Sequence, residues 1–328
     1  MGFIMRPLVA IPFVLVLLLL ILGWYWSREP DLMTLKAPSS EYSTDQGVKP
    51  VIGYATTQMM VQAVDTLLNK PGGYLSNDIS PPGVFLDNLP NWEFGVLQQV
   101  RDLAKALRND YSRSQTQSVA DPDLELAEPR FSVNSEAWIF PSAEGEYSKG
   151  NEDLVKYLQR LSDTSQRNAQ FYARADNLNE WLSLVEKRLG SLSQRLSAAR
   201  TQTRLNTDLA GDANAQQSTE VDEEVVANVS WFQIDDNFYE ARGTAWALIH
   251  FLKAAEQDFN PVLKDKNAIP TLRQIIRELE ATQQPMYSPM VLNGSGMGFF
   301  ANHSLVMSSY IARANAAIAD LRSLLADG

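Results

Sequence analysis

Apolar residues occur along this chain in two kinds of pattern. One is a single unbroken run. From Leu8 to Trp26, LVAIPFVLVLLLLILGWYW, about nineteen residues pass without a charged side chain. At a helical rise of about 1.5 Å per residue, such a run can cross a hydrocarbon core of roughly 30 Å. The run predicts a transmembrane helix over 8–26, with Trp24, Tyr25 and Trp26 at one edge, where aromatic rings suit a membrane interface. Pro12 lies near its start, where a kink costs least. A cleaved signal peptide needs a small-x-small site, but the run ends in aromatics followed by Ser27-Arg28-Glu29-Pro30. A buried core helix is the remaining alternative, and a run apolar on every face fits lipid better.

The second pattern is amphipathic, with apolar positions recurring every three or four residues. It predicts a helix over 51–70, closed by Pro71-Gly72-Gly73, and another over 91–112. From 151 to 204 the period persists with a slip near Leu178. That predicts one long helix, or two joined near Asp176-Asn177, with a face suited to an antiparallel hairpin rather than a parallel coiled coil. Further helices are expected over 236–258, with Asp235 or Asp236 as N-cap, over 269–283, and over 302–326.

Four stretches lack the period. Residues 27–49, rich in Pro, Ser and charge, read as a linker lifting the body off the membrane. Residues 72–95 are dense in Pro, Gly, Asn and Asp yet carry many apolar groups, and read as an ordered, packed loop. In 112–150 the prolines Pro122, Pro129 and Pro141 interrupt, and Ser132 to Phe140 could form a short strand. Residues 206–224 read as an acidic flexible loop.

The expected fold is mainly α: a single N-terminal transmembrane helix followed by a multi-helix, bundle-like domain with long ordered loops. The layout is a short cytoplasmic tail at 1–7, the membrane helix at 8–26 and the linker at 27–49. A first helical half at 50–205, the flexible loop at 206–224 and a second half at 225–328 follow, the two halves packing as one domain. Arg6 and the amino terminus flank one side of the run, and Arg28 and Lys36 flank the other with four nearby acids. This gives a preferred orientation with the N-terminus in the cytoplasm and the bulk in the periplasm. The net charge of −11 argues against nucleic-acid binding and against broad docking on anionic lipid. The absence of cysteine excludes disulfides, thiol catalysis and cysteine metal sites.

Two stretches, Gly72 to Asp102 (GGYLSNDISPPGVFLDNLPNWEFGVLQQVRD) and Asp235 to Ala254 (DDNFYEARGTAWALIHFLKA), resemble a proteobacterial membrane-anchored family known only as a domain of unknown function. The resemblance implies a Gram-negative envelope protein. It brings no reaction or catalytic residue with it.

Asp78, Asp87 and Glu93 gather among aromatics in the 72–95 loop, where paired carboxylates would suit acid–base work on a glycan. Against this, Asn77-Asp78 and Asp87-Asn88 are ordinary turn residues, and Glu93 in the first turn of a helix suits the dipole. Trp92, Phe94, Asp235, Asp236, Glu240 and Arg242 are the candidate binding residues, the last four reading first as a salt-bridge network. Gly294-Ser295-Gly296-Met297-Gly298 lacks the preceding strand and Lys-Ser/Thr of a phosphate loop, and reads as a turn beside a packed Phe299-Phe300. His250 and His303, the only histidines, lack a second ligand at helical spacing, so no metal and no cofactor is expected. The expected partners are the bilayer, through 8–26, and an envelope protein. The favoured function is an interaction or scaffold module; the alternatives are an envelope-polymer hydrolase or lyase and a periplasmic ligand sensor.

Overall fold

The computed structural model describes residues 5–33, 51–114, 119–163, 165, 168–198, 202–205, 224–227, 233–288, 290–294 and 299–326. The chain is mainly helical, with ten α-helices among the described residues. Helix α1, Met5–Trp26, includes Pro12. Its side chains are described from Ile11 onward, and Ile11, Phe13, Leu18 and Leu20 are all exposed. Among the described residues no helix is long and apolar enough to cross a membrane.

The body comprises α2 (Tyr54–Asn69), α3 (Asn88–Ala106), α4 (Pro122–Phe131), α5 (Ala143–Ser162), α6 (Ala175–Ser197), α7 (Ile234–Asp258), α8 (Asn260–Asp265), α9 (Ile269–Ala281) and α10 (His303–Ala326). One core takes side chains from Ala55 to Leu325. At its centre is α7, buried without interruption from Ala241 to Leu252. Helices α2, α3 and α9 pack closely around it, and α6 pairs with α10. A helix buried on all sides needs small residues where neighbours come close, and Ala241, Gly243, Ala245 and Ala247 supply them. The closest approach is to α3. A Cβ on Gly243 would lie 2.0 Å from the Trp92 carbonyl oxygen, and one on Gly95 would lie 2.2 Å from that of Glu240. The two stretches that carry the family resemblance are thus the two that form this crossing.

Helix α6 runs antiparallel to α10, with Ser193 beside Ser308 and Arg322 bonded to Asn179 and Glu186. Its partner is therefore the last helix rather than its sequence neighbour. Between α5 and α6 the described residues are non-helical up to Arg174, so the break falls before the Asp176-Asn177 position expected from the phase slip. Tyr172 there donates its N–H to Tyr111 O (2.6 Å), and Phe171 joins Tyr111 and Phe259 in an aromatic cluster.

The proline-rich region contains α4 and the start of α5 instead of a strand. Pro122 opens α4 behind Asp121, whose carboxylate accepts from Asp123 N and Leu124 N. This is a start signal rather than a break, because an N1 proline lacks only an N–H that has no helical partner there. Ser142 caps α5 in the same way, through Gly145 N. The expected caps Asp235 and Asp236 lie inside the first turn of α7, which begins at Ile234. Strands β1 (Gln202–Leu205) and β2 (Glu224–Ala227) pair antiparallel. The 206–223 part of the expected flexible loop lies outside the described residues.

Gly53, with a left-handed φ of 90°, precedes α2 and brings no capping side chain. Asp258, at the far end of α7, does the capping. Its carboxylate accepts from Gly53 N (2.9 Å), Thr56 N (2.7 Å) and Thr56 Oγ1 (2.7 Å). Asp258→Ala removes all three bonds and is expected to cost about 2 kcal/mol in urea unfolding.

Candidate functional site

Three arrangements of polar side chains stand out. The first joins α1 to the body. Residues 27–33 are not a free spacer, contrary to the expectation for 27–49; the remainder of that stretch lies outside the described residues. Glu29 accepts bidentate bonds from Arg242, with Nη2 to Oε2 at 2.6 Å. Trp246 Nε1 donates to Asp31 O (3.2 Å), and Met33 N donates to His250 Nε2 (2.8 Å). Steps of two along this strap meet steps of four along α7. The match is geometric: an extended chain advances about 6.6 Å in two residues and a helix about 6.0 Å in four. Arg242 also donates to Thr282 O and Gln284 O, so its fork ties the strap, α7 and the end of α9 together.

His250 is fully buried. Its Nδ1–H donates to Trp246 O (2.6 Å), which leaves Nε2 as the acceptor for Met33. Burial pushes its pKa down to about 4. The unfolded chain takes up this proton below about 6.5 and the folded chain resists it, so the unfolded state holds more protons between these values. Stability on this account is complete above pH 6.5 and falls by about 3 kcal/mol as pH drops toward 4. Melting curves over this range should show the fall in the native chain and a flatter profile in His250→Gln. Parallel profiles would contradict the assignment.

The second arrangement closes residues 72–87 over α3, whose first turns take up residues 88–95 of the expected loop. Lys70 and Glu93 form a fully buried ion pair. Lys70 Nζ also donates to Leu67 O (3.1 Å) and Gly73 O. Glu93 accepts further bonds from Leu75 N (2.9 Å), Ser76 N (2.8 Å) and Ser76 Oγ (2.5 Å). A carboxylate so enclosed has no face for a substrate. Desolvation lowers the pKa of Lys70, and Glu93 opposes that shift. Asp78 lies apart, with its pKa raised by burial and by Glu144. Asp87 accepts from Asn88 N (2.9 Å) at the start of α3. Asp78 also feels Lys70, but Asp78, Asp87 and Glu93 each have hydrogen-bond or charge partners of their own rather than converging on one site.

The third is an open groove of about 470 Å³ between α3, α6 and α7. Its walls carry two ion pairs, Arg188–Asp102 and Arg195–Glu240, two turns apart on α6. Both are bidentate; Arg195 reaches Glu240 at 2.6 Å through each nitrogen and also bonds Asn237 Oδ1 (2.9 Å). Phe94 and Leu184 add apolar surface, and Lys187 stands exposed at the rim.

Of the expected binding residues, the groove takes Phe94 and Glu240. Trp92 is buried edge-on against Trp246, with centroids 5.2 Å apart. Asp236 accepts from Asn91 Nδ2 (2.7 Å), and burial, Asp235 and Asp87 raise its pKa. Arg242 turns to Glu29. Asp236, Glu240 and Arg242 therefore point to different neighbours rather than pairing with one another. Arg242 lines a second cavity of about 340 Å³ with Phe238, Tyr287 and His303. Residues 295–298 of the glycine-rich turn lie outside the described residues, and Phe299 beside it is 97% exposed rather than packed. Among the described residues no group of three or more His, Asp or Glu is placed to hold a metal ion.

The sequence missed Lys70, Asp258, Glu29 and Arg195. Glu93 and His250 did carry a signal, because each interrupts an otherwise apolar helical stripe. The partners of Glu93 lie 17–23 residues away, and Met33, which donates to His250, lies 217 residues away.

A model of the family described as an uncharacterized protein conserved in bacteria (DUF2333) matches residues 2–328. No curated protein and no solved structure matches the chain.

Proposed function

The chain belongs to that bacterial family, and we propose that it is a single-pass inner-membrane protein whose helical body is an interaction module held on the periplasmic side. Helix α1 is the anchor in this reading. In support, its helical backbone includes the whole Leu8–Trp26 run, and its described apolar side chains are exposed around the helix. Exposed apolar surface of this extent needs a covering. The observation that carries the reading is the strap, which gives the body a set position on its anchor, as a scaffold requires. The groove between α3, α6 and α7 is the partner surface, lined by the Arg188–Asp102 and Arg195–Glu240 pairs, the exposed Lys187 and the apolar Phe94 and Leu184.

The test is crosslinking of the full-length protein in intact cells, followed by detergent extraction and identification of what co-purifies. One envelope protein should be recovered reproducibly with the native chain and lost with Leu184→Arg or Lys187→Glu, both variants retaining native melting. Recovery of the same protein from the groove variants would refute the groove assignment. A chain that is always recovered alone would refute the interaction reading.

A further inference from the structure

We propose that the body does not hang clear of the bilayer but rests on it, with the tips of two loops, 79–85 and 138–140, inserted at the interface. This rests on the reading of α1 as a membrane anchor. The depth of the loops follows from contacts with α1. A Cβ on Gly23 would stand 3.5 Å from Pro82 Cβ and 3.9 Å from Leu86. Gly23 is one residue on the membrane side of Trp24, Tyr25 and Trp26, so the 79–86 loop lies at the level of that aromatic edge. Trp26 packs on the body as well: a Cβ on Gly72 would meet its indole ring at 2.8 Å. The strap that follows is bonded along α7 and leaves no slack to lift the body away.

The loop tips have the matching chemistry. Ile79, Val84 and Phe85 are exposed, Phe85 by 77%. The neighbouring loop presents Trp138, Ile139 and Phe140, with Phe140 96% exposed. The two loops are fastened together, since Tyr74 OH donates to Ser135 O (3.1 Å) and Asn77 Nδ2 donates to Ala137 O (2.9 Å). Exposed aromatic and aliphatic tips beside a membrane helix form an interfacial seat. The chain is strongly acidic, so apolar insertion rather than attraction to anionic lipid holds this seat. A site remote from these loops can be identified from α5. Its first turn adjoins these loops through Glu144, which accepts from Asn77. Its last turn holds Arg160, paired with Asp121 two residues from the exposed Val119. About 24 Å of helix separates Glu144 from Arg160.

The chain has no cysteine, so single labels can be placed at will. Full-length Ile21→Cys, Phe85→Cys, Phe140→Cys and Val119→Cys would each carry an environment-sensitive fluorophore in vesicles of phosphatidylethanolamine and phosphatidylglycerol. Quenching by spin-labelled lipid is compared with quenching by aqueous iodide. The expected result is blue-shifted emission and loss of signal to the lipid quencher at Ile21, Phe85 and Phe140, unchanged by high salt, with Val119 quenched by iodide alone. Lipid quenching at Ile21 with Phe85 and Phe140 behaving like Val119 would overturn the seat and leave the anchor standing. Iodide quenching at Ile21 would overturn the anchor and the seat with it. Loss of the loop signals in high salt would overturn apolar insertion.

Discussion

Glu93→Gln is expected to lower the stability of the body by about 3–5 kcal/mol, the range for removing one partner of a buried ion pair. The loss exceeds that of an exposed pair, typically under about 1 kcal/mol, for two reasons. Lys70 would be left buried without its ion-pair partner, and must either hold an unpaired charge or give up its proton. The new amide group would also turn N–H donors toward the N–H groups of Leu75 and Ser76, which need acceptors. For a chain of this size the melting temperature should fall by roughly 10 °C. Lys70→Met should cost less, because Glu93 would retain the donors of Leu75 and Ser76. Equal losses in the two variants, or a Glu93→Gln loss below about 1 kcal/mol, would contradict the clamp.

Gly243→Ala is also expected to be destabilising, although alanine is the better helix former. The intrinsic preference favours the substitution by about 1 kcal/mol. The crossing opposes it, because the added methyl would sit 2.0 Å from the Trp92 carbonyl oxygen, on backbone that cannot rotate away. Separating the two helices would also disturb the Trp92–Trp246 contact and the buried stripe beneath it. Overpacking costs about 1–3 kcal/mol, and a clash with backbone at this distance belongs at the upper end, so the balance is destabilising by about 2 kcal/mol. Gly190→Ala on α6 is the control, since a Cβ there lies 3.6 Å from Asn315 Nδ2, in ordinary contact. Urea unfolding should separate the two clearly. A native midpoint for Gly243→Ala would show that the crossing can yield.

The helices were legible in the sequence because their buried faces repeat at helical spacing. Val96, Leu97, Val100 and Leu103 mark α3, and Leu182, Val185, Leu189 and Leu192 mark α6, whatever they pack against. Helix α4 was not legible, since Asp121-Pro122 starts a helix with residues that elsewhere end one. The pairing of α6 with α10 was hidden because amphipathic faces record that they are buried, not by what. The site was less legible still. Glu93 stood out as a carboxylate among apolar residues, but the same pattern suits a catalytic acid and a structural clamp. Only the positions of Lys70 and Ser76 distinguish them. The strap was read as a spacer because Glu29, Asp31 and Met33 have no period of their own. They take their register from α7, more than two hundred residues away.

The central claim is that Glu29–Met33 fixes the body on α1. A pair of spin labels at Tyr25→Cys and Glu152→Cys, in the full-length protein in lipid nanodiscs, tests it by pulsed electron resonance. The account predicts a single narrow distance distribution that broadens when Arg242→Leu removes the grip on Glu29. A broad distribution in the native chain, unchanged by that substitution, would contradict it.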